Sequence, residues 1–208
     1  MPLIHTIQAA AGAKVAIWNI KEPEEFFSER VQVERVVHHP HKRLQHLAAR
    51  YLLEVLEPSF PTRNIRVSTA GKPYLPGNSY YFSLAHSGDY AVAILSTQGP
   101  VGIDVEKVST KIERIAHKFL RPEELAFISP EDRINHLTLC WCAKETIVKW
   151  YGKGGIDFRE NIRLAPFSVS SKGVMQASFS KDGHTSLLSL QYLGESGYQL
   201  AWLADEKS

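Results

Sequence analysis

The stretch Val101-Gly-Ile-Asp-Val-Glu106 predicts a β-strand that carries two acidic side chains. Side chains alternate across a strand, so Asp104 and Glu106 share one face and the apolar side chains share the other. Two carboxylates about 7 Å apart on one strand face can converge on one ion. Hard divalent cations such as magnesium favour one or two carboxylates, with phosphate and water oxygens completing the shell. The alternative is a half-buried strand with a solvated acidic face, and this motif alone leaves both interpretations open.

A helix and a hairpin are predicted downstream of this strand. The helix runs from about residue 133 to residue 151, and the hairpin joins residues 186–193 to residues 198–203. The same order occurs upstream, with a strand over 15–20, a helix over about 42–57, and a hairpin of 80–85 with 90–95. Helices placed between strands and antiparallel hairpins favour an α+β fold over a doubly wound parallel sheet. We therefore expect two similar α/β halves, residues 1–99 and 100–208, with a cleft between them.

Composition and charge narrow the class of protein. The 208 residues include 24 Lys and Arg against 22 Asp and Glu, which gives a net charge of +2. This balance predicts no gross attraction to nucleic acid or to a membrane surface, so any basic ligand site must be local. No run of about 18 apolar residues occurs, and we expect a cytoplasmic protein. Cys140 and Cys142 lie two apart in the predicted helix and are interpreted as buried small apolar residues.

The predicted long helix carries a second pair of charges. Glu145 and Lys149 are four residues apart and hence lie on one helix face, with the acid preceding the base. A surface ion pair would have the same spacing. Aromatic residues surround the pair in sequence, and the helix ends in Lys153-Gly-Gly155, where flexible backbone can approach a ligand closely. These features favour a functional pair.

Further candidate ligand-binding residues lie in the first half. His86 and Ser87 stand where a predicted strand reaches its turn, and Lys72 precedes a proline that biases it toward an extended conformation. The chain's local positive cluster begins with a histidine-rich stretch at 38–43 and includes Arg43, His46 and Arg50. A hairpin turn explains the His86 and Ser87 segment equally well, a turn with an exposed lysine is favoured for Lys72, and a solvated surface is the alternative for the basic cluster. For the basic cluster we favour phosphate binding over a zinc site, because no cysteine or carboxylate partner lies nearby in sequence.

Four motifs in order resemble those of one enzyme family. Gly102-Ile-Asp-Val-Glu106 followed by Trp141-Cys-Ala-Lys-Glu-Thr-Ile-Val-Lys149 is similar to the paired signature of the phosphopantetheinyl transferases. The upstream Gly71-Lys-Pro73 and Ala85-His-Ser87 resemble two further motifs of that family. The resemblance extends from about residue 40 to residue 155. The length matches the two-half, surfactin-synthetase-activating type, which is a pseudodimer within one chain.

The resemblance implies roles for individual residues. It makes Asp104, Glu106 and Glu145 the magnesium ligands, with manganese suiting the same oxygen ligands. It makes Glu145 the base that takes the proton of a serine hydroxyl and Lys149 the contact to the pyrophosphate. Substrate contacts are then expected from residues that match the family's motifs or the basic cluster: Lys72, His86, Ser87, Lys144, Arg43 and His46. Glu124 is similar to a further acidic residue near the metal.

The function implied by the resemblance is transfer of the 4'-phosphopantetheinyl group from coenzyme A to a serine of an apo acyl or peptidyl carrier protein. We expect a monomer with coenzyme A and the carrier as its partners. The rival hypothesis is a non-catalytic module of the same fold that binds coenzyme A or a carrier. One departure from the family pattern is Ala85, which stands where a serine is usual and removes a hydroxyl that could contact a phosphate.

Overall fold

The computed structural model describes residues 3–9, 12–31, 37–77, 79–195 and 197–205. The strands are β1 (Leu3–Gln8), β2 (Lys14–Asn19), β3 (Arg66–Val67), β4 (Pro73–Tyr74), β5 (Tyr81–Ser87), β6 (Tyr90–Ser96), β7 (Val101–Lys107), β8 (Ile162–Leu164), β9 (Lys172–Lys181), β10 (His184–Glu195) and β11 (Tyr198–Ala204). The helices are α1 (Glu24–Ser28), α2 (Pro40–Leu56), α3 (Ile112–Phe119), α4 (Pro122–Ala126), α5 (Arg133–Tyr151) and α6 (Phe158–Asn161).

Two antiparallel sheets organise the chain. The first has the order β1-β2-β6-β5, and the second has the order β7-β11-β10-β9-β8. In both, the strand that precedes the long helix pairs with the last strand of the hairpin, which gives β2-β6-β5 in one sheet and β7-β11-β10 in the other. Helix α2 packs on the first sheet and α5 on the second. The predicted mixed α+β fold, its long helices and its hairpins are therefore confirmed.

A shared apolar core joins the two sheets. Val15 and Ile17 of β2 and Ile94 of β6 are fully buried in one cluster with Ile103 and Val105 of β7. These β7 side chains are the apolar face that the sequence predicted. Separate clusters fill the space beneath α2 and beneath α5. Strand β7 is thus covered on both faces, by the first sheet on one side and by α5 on the other.

Gly102 explains how closely α5 lies on β7. A Cβ atom at this position would stand 2.2 Å from the carbonyl oxygen of Thr146 and 2.8 Å from the backbone nitrogen of Trp150. Both are backbone atoms of α5, so no side-chain movement could relieve the contact. Because residues 102, 104 and 106 share one face of the strand, the same close packing turns Asp104 and Glu106 toward α5.

The segment Gly71-Lys-Pro-Tyr74 was predicted as a turn, and its last two residues instead form β4, which pairs with β3. The described helices do not include one that is both long and apolar enough to cross a membrane. Cys140 and Cys142 are buried free thiols, as the sequence predicted.

Candidate active site

Asp104 and Lys149 form the central contact between β7 and α5. The Lys149 ammonium donates to Oδ1 of Asp104 at 2.6 Å. Asp104 is only 4% exposed, and its Oδ2 is buried without a hydrogen-bond partner. Burial raises the pKa of the Asp104 carboxyl group, and the Lys149 ammonium opposes this shift. One carboxylate oxygen is therefore paired, and the other is buried with no hydrogen-bond donor.

Glu106 is held by donors from two other elements. Its Oε2 accepts a hydrogen bond from Oγ of Ser87 at 2.8 Å, and its Oε1 accepts one from the indole nitrogen of Trp141 at 3.1 Å. Burial raises the pKa of Glu106, and the neighbouring Asp104 carboxylate adds to the shift. Ser87, expected to bind substrate, also accepts the backbone N–H of Lys107. In this structure Ser87 therefore orients Glu106.

Glu145 lies one helical turn before Lys149 and is partly exposed. Burial raises its pKa, the Lys149 ammonium opposes the shift, and the charge of Glu106 adds to it. The charge of Glu145 in turn raises the pKa of Asp104. The three carboxylates thus lie within electrostatic range of one another, and we call Asp104, Glu106 and Glu145 the acidic wall.

Within the described ranges, no three His, Cys, Asp or Glu side chains are arranged closely enough to hold a metal ion. One oxygen of Asp104 and both oxygens of Glu106 already accept hydrogen bonds from protein donors. The donor chemistry nevertheless fits a divalent cation. Asp104 Oδ2 is buried and unpartnered, and the pKa values of all three carboxyl groups are raised, chiefly by burial and further by the neighbouring carboxylates. The expected ligand set stays a prediction.

A pocket of about 240 Å³ lies beside the acidic wall. Its lining joins the two halves, since Lys149 of α5 faces a set of residues from the first half that includes His46 and Arg50 of α2 and Ala85 and His86 of β5. The rings of His46 and His86 meet edge to face, with centroids 4.9 Å apart. The hairpin strand and the helix that the sequence predicted thus supply one wall of a shared pocket.

Several basic side chains lie in the described lining of this pocket, and no carboxylate is among the lining residues. Burial lowers the pKa of His86 to about 4, and the charges of His46 and Lys149 contribute to the shift. Burial also lowers the pKa of Arg50. We call His46, Arg50 and His86 the cationic wall. Because each of these groups would be stabilised in its protonated form by a nearby negative charge, the pocket suits a phosphate group.

Three of the expected substrate contacts point elsewhere. Arg43 forms an ion pair with Glu24, with 2.6 Å between Nε and Oε1, and lies outside the lining of the pocket. Lys72 donates to backbone carbonyl groups of α5. Lys144, also expected to bind substrate, has a fully buried side chain in the second half, and its expected role stays a prediction.

Lys144 and Glu124 form a buried ion pair instead. The Lys144 ammonium donates to Oε2 of Glu124 at 2.8 Å and to the carbonyl oxygens of Phe119, Phe158 and Ile162 at 2.8 to 3.0 Å. Glu124 also accepts the backbone N–H groups of residues 121 and 164. Both groups are buried and engaged with each other and with backbone groups, so in this structure Glu124 lies in the core of the second half and not at the acidic wall.

Sequence reasoning missed two contributors to the site. Gly102 sets the distance between β7 and α5, and the Trp141 indole holds Glu106. The signal for the first was a glycine placed two residues before a candidate ligand, on the same strand face. The second could be anticipated only from the position of Trp141 four residues before Glu145 on the same helix face.

Comparison with known proteins places the chain in a family. A model of the 4'-phosphopantetheinyl transferase superfamily matches residues 100–203, which include β7, α5 and the whole acidic wall. A 4'-phosphopantetheinyl transferase of Bacillus subtilis is 31% identical over 140 residues, covering 65% of this chain and 60% of the relative. The 4'-phosphopantetheinyl transferase Sfp of Bacillus subtilis strain 168 is 30% identical over 145 residues, covering 66% and 62%.

A third relative, the 4'-phosphopantetheinyl transferase gsp of Aneurinibacillus migulanus, is 31% identical over 113 residues, covering 52% of this chain and 46% of the relative. The chain thus spans less than two thirds of the length of these relatives. The family model covers half of the chain, and its range contains the acidic residues that the structure brings together. The chain therefore belongs to the 4'-phosphopantetheinyl transferase superfamily.

Proposed function

We propose that this protein transfers the 4'-phosphopantetheinyl group of coenzyme A to a serine of an apo carrier protein and releases 3',5'-ADP. The proposal rests on the position of Lys149, which contacts Asp104 of the acidic wall and also lines the pocket together with the cationic wall. The acidic wall suits a cation and a hydroxyl proton, and the cationic wall suits the phosphates of coenzyme A. A module that only bound coenzyme A would not need the buried carboxylates, which makes the non-catalytic rival the weaker hypothesis.

The chain's own residues account for proton movement and charge. The serine oxygen forms a bond to the phosphorus attached to pantetheine, and the bond from that phosphorus to the oxygen of the departing 3',5'-ADP breaks. Glu145 takes the serine proton, and its pKa, raised first of all by burial, brings it closer to the range of an effective base. The Lys149 ammonium stabilises the charge that develops on the departing phosphate.

Magnesium is part of the proposal. Asp104, Glu106 and Glu145 would hold the ion, with Asp104 contributing the Oδ2 atom that has no protein partner. When bound, the ion would neutralise phosphate charge and polarise the phosphorus. Glu106 would have to give up one of its present donors, Ser87 or Trp141, to take part.

The architecture is proposed to be an internal pseudodimer, with residues 1–99 and 100–208 as its halves. The equal strand orders around α2 and α5 support this reading, and so does the position of the pocket between α2 and α5. The expected monomeric state and cytoplasmic location remain predictions.

Helix α3 offers a surface for the carrier. Lys111, Arg114 and Lys118 follow one another at helical spacing and are exposed, and none has an ion-pair partner among the residues that the structure describes. The helix begins five residues after the end of β7, and Phe119 packs on Trp141 with 5.0 Å between ring centroids. We propose that this basic face receives an acidic helix of the carrier next to the acidic wall.

The direct test is mass spectrometry of a panel of apo carrier proteins after incubation with coenzyme A and magnesium. A mass gain of one phosphopantetheinyl group on a carrier serine supports transfer, whereas unchanged masses across fatty-acid, polyketide and peptide-synthetase carriers would favour the binding module. Charge reversal of Lys111, Arg114 and Lys118 to Glu should raise KM for the carrier and leave the Kd for coenzyme A unchanged. An unchanged KM would remove α3 as the docking face.

A further inference from the structure

The side chain of Lys72 extends from the first half of the chain to the C-terminal end of helix α5 in the second half. Its ammonium donates to the carbonyl oxygen of Lys149 at 2.5 Å and to that of Trp150 at 3.1 Å. The last carbonyl groups of a helix have no partner within the helix, and a cation near them is favoured by the helix dipole. Lys72 thus satisfies carbonyl groups of the turn that carries Lys149.

The backbone of Lys72 is itself fixed. Its N–H donates to Oγ of Ser68 at 3.1 Å, and its carbonyl oxygen accepts the N–H of Ser68 at 2.9 Å. This turn belongs to the loop between β3 and β4. The ammonium therefore comes from a braced part of the first half, so it can restrain the helix end that it contacts.

Gly152 shows that the lysine side chain lies tightly over the helix end. Gly152 ends α5 in the left-handed region, with φ of 69°, and its N–H donates to the carbonyl oxygen of Val148. A Cβ atom added there would stand 2.4 Å from Cδ of Lys72. Glycine is thus required at this position both by the backbone conformation and by the passage of Lys72.

We propose that Lys72 is a positioning residue that clamps the last turn of α5 so that the Lys149 ammonium stays against Asp104 at the pocket. This role replaces the direct phosphate contact expected from the sequence, and it rests on the proposed function of Lys149. The geometry supports it, because two N–H donors of Lys72 are engaged by backbone while the side chain of Lys149 is left to the site. Burial, which lowers the pKa of Lys72 to about 8, agrees with an ammonium enclosed without a carboxylate partner.

The decisive variant is Lys72→Met, which keeps the length of the side chain and removes its donors. A clamp predicts roughly tenfold faster amide exchange at residues 149–152, because the end of the helix loses two hydrogen bonds. It also predicts a kcat about tenfold lower through misplacement of Lys149, with the Kd for coenzyme A within about threefold of the unmodified protein. Lys72→Arg, which retains donors, should restore most of both losses.

If Lys72 instead contacts a phosphate of coenzyme A directly, the effects on affinity and on amide exchange should be reversed. Lys72→Met would then weaken coenzyme A binding more than tenfold and leave exchange at residues 149–152 unchanged, and this result would overturn the proposal. The exchange measurement needs no turnover, so it separates failure of the clamp from failure of the proposed transferase reaction. If the unmodified protein transfers nothing but Lys72→Met shows faster amide exchange at the helix end, the proposed function is refuted and the role of Lys72 in holding the helix end is supported.

A second pair of variants covers the case in which Lys72→Met does not fold. Gly152→Ala introduces both backbone strain and a collision with Lys72, and Lys72→Ala removes the collision. The acceleration of exchange caused by Gly152→Ala should therefore be smaller in the Lys72→Ala background than in the unmodified protein. Equal acceleration in both backgrounds would show that Lys72 does not lie on the helix end in solution.

Discussion

The acidic wall and the cationic wall lie on either side of Lys149, and burial shifts the pKa values of their side chains in opposite directions. In the cationic wall, burial lowers the pKa values of His86 and Arg50, and in the acidic wall it raises those of Asp104, Glu106 and Glu145. The ion pair of Lys149 with Asp104 connects the acidic wall to the pocket that the cationic wall lines. In both walls, burial thus disfavours the charged forms of the side chains. A phosphate for one wall and a divalent cation for the other would complete the balance.

The largest expected effect is on the acidic wall. Glu145→Gln should lower turnover by roughly 10³-fold, because it removes the proposed base, while the Kd for coenzyme A stays within about threefold. Turnover is measured as carrier mass gain over time. Glu123→Gln, an exposed carboxylate on α4, serves as the control and should leave turnover unchanged. Near-normal turnover in Glu145→Gln would show that the base lies elsewhere.

The next effect tests how the acidic wall is assembled from two elements. Gly102→Ala places a Cβ atom against the backbone of α5 and should lower the free energy of unfolding by about 2 to 3 kcal/mol, as measured by urea denaturation. Gly99→Ala is the matched control, since its Cβ would meet Asp205 at an ordinary 3.4 Å. The control should change stability by less than about 0.5 kcal/mol. Equal effects of the two variants would contradict the close packing of α5 on β7.

A smaller effect separates two arginines of α2. Arg50→Met should weaken coenzyme A binding about tenfold, since Arg50 lines the pocket and lacks a compensating anion there. Arg43→Met should change the Kd by less than about twofold, because Arg43 is engaged with Glu24. Isothermal titration calorimetry measures both. A stronger loss in the Arg43 variant would mean that the ion pair with Glu24 opens to bind ligand.

The smallest effect is a fractional proton uptake by the cationic wall. His86 is neutral at pH 6 in the free protein, because its pKa is lowered to about 4. A bound phosphate favours the protonated imidazole and raises this pKa, so coenzyme A binding should gain affinity as pH falls toward 5. Calorimetry at pH 5.5 in two buffers of different ionisation enthalpy measures the uptake. The protonation of coenzyme A itself is the same whether it binds the unmodified protein or the His86→Gln variant, so it cancels when the two are compared. The proton uptake should be smaller for His86→Gln.

Much of the fold was predictable because its main elements are long and regular. Helix α5 begins and ends at the predicted residues, and α2 starts only two residues earlier than predicted. Strand β1 and the short elements α1, α4, α6 and β8 were not predicted. Most of them span three to five residues, too few for an apolar period to repeat. Strand β9 was missed although its buried residues Met175, Ala177 and Phe179 alternate with polar residues along the sequence.

The positions of site residues were predictable where they follow from helical spacing. They were not predictable where they depend on contacts with residues distant in sequence. Glu145 and Lys149 share a face, as four-residue spacing requires. Lys144 and Lys149 are five residues apart, which places them roughly 140° apart around the helix, so the same geometry argues against both lysines reaching one pocket. The positions of Arg43 and Lys72 depend instead on Glu24 and on the end of α5, which no local pattern reveals.

The apolar core between the two sheets determines how the packing around the pocket depends on protein concentration. Val15, Ile17 and Ile94 bury their side chains against Ile103 and Val105 much as two subunits would at a dimer interface. Here both surfaces belong to one covalent chain, so their effective concentration is set by the short connection near residues 97–100 and not by the amount of protein. The packing of the two sheets on each other within one chain therefore does not depend on the concentration of the protein.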